Sequence, residues 1–186
     1  MRFVVPIALA VAFVGSVRSA DVPRGPDQPK KSAQVTEAML RNLIGKGHFS
    51  DEACQLRKLL EARPIASCHV SFEKSFHHMW MSEGLEVSFD NRSKAVCCFL
   101  YAEGLDGHRQ YAGELPAKLA FGDSPATVRK NLGAPGEVID STKEDGTKES
   151  HWSYLSLGLS VRFGSDTADT KAKLELVIIH AVEKAK

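Results

Sequence analysis

After its first twenty residues the chain has no long apolar run, and it carries little net charge, few aromatic residues (8%) and only four cysteines. The apolar run within those twenty, Phe3 to Val17, is short of the roughly twenty residues a membrane helix needs. Lys and Arg number 24 against 23 Asp and Glu, and setting aside Arg2 and Arg18 at the N-terminus leaves 22 against 23. That balance supplies no electrostatic drive toward nucleic acid or an anionic membrane, so neither is expected as a partner. No Asp is followed three residues later by His, and the cysteine spacings match no zinc pattern. No metal and no cofactor are expected. A content of 43% hydrophobic and 25% charged residues in 186 is that of one or two globular domains.

What is present begins with a leader. Met1-Arg2 is a short basic start, Phe3 to Val17 is apolar apart from Pro6, and small residues Ser19 and Ala20 precede Asp21. This is the pattern of a secretory signal peptide over 1–20, which places the protein outside the cytoplasm, secreted or periplasmic, with no stable membrane insertion after cleavage. No Cys follows the apolar run closely, the first being Cys54. Residues 21–31, rich in Pro, Lys and Asp, read as an exposed tether.

The remainder repeats itself. Phe49-Ser50-Asp51 through Arg57-Lys58 and Leu60 align with Phe121-Gly122-Asp123 through Arg129-Lys130 and Leu132 at a constant spacing of 72, and His77, Trp80, Gly84, Leu85, Val87 and Phe89 meet His151, Tyr154, Gly158, Leu159, Val161 and Phe163 at 74. Two segments agreeing in the same order predict a tandem duplication. In the first copy (32–102), Ser32 is the expected cap of a helix carrying Val35, Met39, Leu40, Leu43 and Ile44. Ser50 caps a second helix, with Cys54, Leu56, Leu59 and Leu60 as its buried face. Alternation predicts strands at Cys68–Phe72, Phe76–Met81, Leu85–Phe89 and Ala95–Tyr101. A linker, 103–116, is expected to run over the surface. In the second copy (117–186), Ser124, Pro125 and Gly133 punctuate one helix. Strands follow at Glu137–Asp140, Glu149–Leu155, Leu159–Phe163 and Lys173–His180. The fold class is α+β: two tandem units, each one or two helices packed on an antiparallel sheet of three to four strands.

Several residue types bear on chemistry. In an oxidising compartment Cys54 and Cys68 are a candidate helix-to-strand disulfide. Cys97 and Cys98 are strand neighbours on opposite faces, so one is expected to be a buried thiol. Gly122-Asp123-Ser124 imitates a hydrolase nucleophile block, but Ser124 before Pro125 is accounted for as a helix cap. A hydrolase using Ser124 or Cys98 as nucleophile is the alternative reading, with a histidine as the thiol's base. His77 and His78 point to opposite faces and make a poor chelating pair. Trp80, Trp152 and Tyr154, extended by Phe76, Met79 and Met81, are either core or an aromatic partner-binding stripe on one sheet face. Asn91-Arg92-Ser93 is a glycosylation sequon at a turn.

Phe121-Gly122-Asp123-Ser124, Val128, Leu132-Gly133-Ala134-Pro135, Trp152-Ser153-Tyr154 and the strands ending at Val177 resemble the outer-membrane assembly lipoproteins of the SmpA/BamE type. The tandem arrangement is similar to the secreted beta-lactamase inhibitor proteins. That second resemblance implies a duplicated helix-plus-sheet unit and a disulfide from helix to next strand, here Cys54 to Cys68. Since a catalytic constellation sits normally in one copy only, duplication points to a surface. The function expected is an exported, non-enzymatic protein-binding module, an inhibitor or an envelope-assembly factor, whose partner is another protein.

Overall fold

The computed structural model describes residues 34–60, 65–68, 76–143, 146–164 and 172–182, with 65–68 as backbone only. The expected leader, tether and Ser32 cap lie outside these residues. Three α-helices and eight strands are described: α1 (Glu37–Leu43), α2 (Asp51–Leu60), β1 (Ile65–Cys68), β2 (Phe76–Trp80), β3 (Leu85–Phe89), β4 (Ala95–Tyr101), α3 (Pro125–Leu132), β5 (Glu137–Thr142), β6 (Lys148–Tyr154), β7 (Leu159–Gly164) and β8 (Lys173–His180).

The helix ends follow from their caps. Thr36 caps α1, its Oγ1 accepting the Met39 N–H at 3.3 Å. Ser50 Oγ accepts the Ala53 N–H at 3.3 Å at the start of α2. The α3 punctuation is as its sequence predicts: Ser124 Oγ accepts the Thr127 N–H at 3.2 Å, Pro125 opens the helix, and Gly133 closes it at φ 85° with its N–H on the Arg129 carbonyl. The buried face of α2 is Ala53, Leu56 and Leu60, one turn apart along the helix. Cys54, expected on that face, is instead exposed, rotated toward Arg57, whose Nη2 lies 3.2 Å from its Sγ.

All the strands join one antiparallel sheet in the order β1-β2-β3-β4-β8-β7-β6-β5. The fold is therefore α+β. β1 occupies Ile65–Cys68 where alternation predicts Cys68–Phe72, and 69–72 lie outside the described residues. The first four strands form one half of the sheet and the last four the other, meeting where β4 pairs with β8.

Local geometry matches between the halves. The ladder shifts register between Ser88 and Phe89 in β3·β4, and between Arg162 and Phe163 in β7·β8. Tight turns at Met81–Glu83 and Leu155–Leu157 lead into Gly84 (φ 66°, ψ 29°) and Gly158 (φ 61°, ψ 39°). The carbonyl of Gly84 accepts the Tyr101 N–H and that of Gly158 accepts the His180 N–H, both at 3.0 Å. Glycine is required there twice over: its φ is positive, and a Cβ would sit 2.2 Å from the Arg109 carbonyl oxygen at Gly84 or 2.6 Å from that of His180 at Gly158.

The described α-helices cover one face only. Leu40, Leu43, Ala53, Leu56, Leu60 and Val128 form a single apolar cluster with Trp80, Leu85, Val87, Leu100, Trp152, Val161, Val177, Ile179 and their neighbours on alternate strand positions. A smaller cluster of Tyr101, Leu176 and Ile178, with Cys97, Phe99 and Leu105 against it, lies on the opposite face. The linker between the halves is not a surface connection throughout. Tyr111 is 2% exposed, joins the main core and donates its hydroxyl to the Val35 carbonyl at 2.6 Å.

Candidate functional site: the helix-free face of the sheet

Strand alternation decides which side chains reach each face. Phe76, His78 and Trp80 of β2 point toward the helices, and His77 and Met79 point away. A stripe holding both Phe76 and Met79 on one face is excluded by that period of two. Trp80, Trp152 and Tyr154 are core, exposed by 3%, 6% and 3%. Trp152 donates Nε1–H to Ser150 Oγ at 2.9 Å, and the Arg129 guanidinium covers its ring at 4.9 Å. Phe76 stacks on Phe89 at 4.9 Å and packs against the same core. Of Phe76, Met79, Trp80, Trp152 and Tyr154, expected to bind a partner, Met79 alone lies on the helix-free face.

That face has an apolar centre. Phe99 of β4 and Ile178 of β8 are direct cross-strand partners, and Tyr101 pairs with Leu176 beside them. Phe99 is half-buried, whereas the other three are buried.

On one flank Glu86 of β3, 7% exposed, joins two strands. Its Oε1 lies 2.5 Å from His77 Nδ1, and its Oε2 accepts the Tyr101 hydroxyl at 2.8 Å. Burial, then the Glu86 charge, pushes the Tyr101 phenol far up, so it stays a donor. His108 from the linker stacks on Tyr101 with ring centres 3.8 Å apart, and both its ring nitrogens are buried with no hydrogen-bond partner of good geometry among the described residues. Desolvation by burial lowers the His108 pKa against the pull of Glu86 and Asp106.

The other flank is built around Arg162 of β7, 4% exposed. Its Nη1 lies 3.6 Å from Glu149 Oε1 and its Nη2 3.5 Å from Asp106 Oδ2. Lys143 Nζ reaches the same Glu149 oxygen at 2.6 Å, and His151 Nε2 stands 3.8 Å from Glu149 Oε2. Burial raises the Glu175 pKa here, against Arg162, and burial lowers that of His151, with Arg162 acting in the same direction. His180 on β8 donates Nδ1–H to the Ala181 carbonyl at 2.9 Å, and its Nε2 lies 3.1 Å from Ser160 Oγ.

Leu105, Asp106 and His108 bring the linker across one end of this face, and Asp106 holds a positive φ of 51° as it reaches Arg162. Sequence reasoning passed over Glu86, Glu149, Arg162, Tyr101 and His108. The available signal was polar residues at the out-of-phase positions of strongly apolar strands, as in Leu85-Glu86-Val87 and Val161-Arg162-Phe163.

The candidate nucleophiles are placed elsewhere. Ser124 Oγ is taken up by the α3 cap and lies 3.1 Å from Thr127 Oγ1. The Cys98 thiol is fully buried in the helix-side core, where burial drives its pKa well up, while burial and Glu86 push Cys97 up to about 12. Thiols so raised stay protonated and unreactive. Cys54 has no disulfide among the described residues, and the side chain of its expected partner Cys68 lies outside them. No group of three His, Cys, Asp or Glu side chains converges among the described residues as a metal ion would need, and no described helix is long and apolar enough to cross a membrane. Compared with known proteins, the chain matches no family model, no curated protein and no solved structure.

Proposed function

We propose that this chain is an exported, non-enzymatic protein-binding module whose partner sits on the helix-free face of the sheet. The observation that carries the reading is the division of the sheet's two sides. Each of the three described α-helices packs on one, while the other presents half-buried Phe99 and buried Ile178 between two clusters of buried charge. An apolar centre with a polar frame is the anatomy of a protein-binding patch. Groups already paired and held by neighbouring strands, as Glu86 and Arg162 are, give such a patch fixed charge positions and hence selectivity.

A duplicated origin supports the reading. In its favour are the mirrored strand order, the bulges at Ser88/Phe89 and Arg162/Phe163, and the matched turns before Gly84 and Gly158. The register across the seam fits as well: Cys98 faces Ile179 and Leu100 faces Val177, and Val177 and Ile179 hold the β8 places that Cys98 and Leu100 hold on β4. The resemblance to the SmpA/BamE and beta-lactamase inhibitor proteins suggests an envelope component or an exported enzyme as the partner class.

The test is affinity capture from the native exported fraction with three baits: the wild-type chain, Phe99→Lys, and Lys58→Glu on α2. One salt-resistant partner held by wild type and Lys58→Glu but lost with Phe99→Lys is the expected result. A partner retained by Phe99→Lys would overturn the assignment of the face.

A further inference from the structure

β5 closes one end of the sheet, paired among the described strands with β6 alone, and each residue from Glu137 to Thr142 is exposed. Soluble proteins usually blunt such an edge with Lys, Pro, a bulge or a covering segment, because its free N–H and C=O groups are a template for another strand. Glu-Val-Ile-Asp-Ser-Thr contains neither Lys nor Pro, and its register against β6 runs without a shift from Glu137 opposite Ser153 to Thr142 opposite Lys148. Val138 and Ile139 are 46% and 45% exposed and point to opposite faces. A strand laid alongside would cover an apolar side chain on each. Glu137 shares the face of Ile139, and Asp140 that of Val138. Neither carboxylate is in an ion pair among the described residues.

We propose that β5 receives an extended segment of another protein by strand addition, and that this segment sets Lys or Arg opposite Glu137 and Asp140, one on each face, around two β-branched apolar residues opposite Val138 and Ile139. Main-chain hydrogen bonds supply the affinity in this mode, and the side chains beside the new strand supply the choice of partner. With acids at two of its positions and no base, β5 selects cations opposite.

A second copy of the chain fits less well. Antiparallel self-pairing about the middle of β5 brings the carboxylates of both copies to one seam. The register that would set Glu137 against Lys143 of the other copy places Asp140 directly opposite itself, and Lys143 is already on Glu149 at 2.6 Å. This edge is distinct from the helix-free face and does not depend on a partner bound there.

Hydrogen exchange on the protein, with capped synthetic peptides as probes, tests the proposal. The probes are a peptide built on Lys-Val-Val-Lys, the same peptide N-methylated at every amide, and its counterpart with Glu in place of Lys. The first should slow exchange across 137–142, and the other two should bind roughly tenfold or more weakly. Asp140→Lys, at an exposed position, should weaken the first peptide comparably, and Phe99→Lys should leave its binding unchanged. Equal binding of the N-methylated peptide would reduce the effect to charge alone and overturn strand addition. Undiminished binding to Asp140→Lys, or no protection of β5 at all, would also overturn it. Protection of β5 that rises with protein concentration in the absence of peptide would assign the edge to a second copy.

Discussion

Phe99 and Ile178 face each other across the β4·β8 ladder, and each lies opposite the second residue of its own half's inner strand, Glu86 of β3 for Phe99 and Ser160 of β7 for Ile178. The two halves of the sheet thus meet around one residue pair. Behind that pair, on the helix side, Leu100, Val177, Cys98 and Ile179 belong to a single core that reaches from α1 to α3.

A continuous core across the seam predicts cooperative unfolding. Ile179→Ala, at a position with no exposed surface, removes contacts from both halves and should cost about 2–5 kcal/mol. Urea unfolding followed by tryptophan fluorescence and by far-ultraviolet circular dichroism should give coincident single transitions for wild type and variant. Two separated transitions would mean that the halves are independent folding units.

The glycines of the matched turns should be irreplaceable in parallel. Gly84→Ala and Gly158→Ala add left-handed strain, of about 1–2 kcal/mol, to a backbone collision that cannot be relieved without moving a strand. Gly104→Ala, also at positive φ but with nothing within 4 Å of its Cβ, should show the strain alone. Chemical denaturation of the three variants checks the order, with Gly104→Ala the mildest.

Ser124→Ala should behave as the loss of a helix cap, costing about 1 kcal/mol. The hydroxyl accepts the Thr127 N–H and has no histidine among its bonded partners. A melting shift of that size, with partner capture intact, is the expected outcome; loss of capture without a stability change would give Ser124 a role in the site.

Acid should destabilise the fold through its buried and half-buried imidazoles. Desolvation lowers the pKa of His78, His108 and His151 in the folded state, so the unfolded chain binds more protons once the pH drops below the ordinary imidazole value. Their contribution is therefore whole above about pH 6.5, the ordinary imidazole pKa, and declines as pH falls from there toward the lowered folded-state values. His108→Phe, which keeps a ring against Tyr101, should flatten the slope of stability with pH. Unfolding free energies measured from pH 7.5 down to 5 check this, and an unchanged slope would contradict it.

Much of the scaffold was legible because its signals are local. Ser124, Pro125 and Gly133 bound α3 by chemistry confined to one helix, and Leu85–Phe89 alternates cleanly enough to be read to the residue. The phase of β1 was not legible, since Ile65-Ala66-Ser67-Cys68 has no alternation strong enough to place it. For α2, Ala53 and Cys54 are both small and apolar, and only the approach of Arg57 distinguishes the covered residue from the exposed one.

The site was less legible than the fold. Aromatic residues drew attention to Trp80, Trp152 and Tyr154, which burial against the helices has used. The polar framework on the other face depends on which strands become neighbours. Glu86 meets His77 across β2·β3 and Tyr101 across β3·β4, while Arg162 meets Asp106 only because the linker crosses the end of the sheet. Spacing along the chain carries no trace of those encounters.

The most direct test of the central claim is covalent footprinting of the captured complex against the free protein, read at His77, Met79, Phe99, His151 and His180 on the helix-free face and at Phe49, Cys54 and Lys58 on and beside α2. Protection confined to the first group is the predicted result. Protection of the α2 group, with the helix-free face labelled equally in both states, would contradict the account.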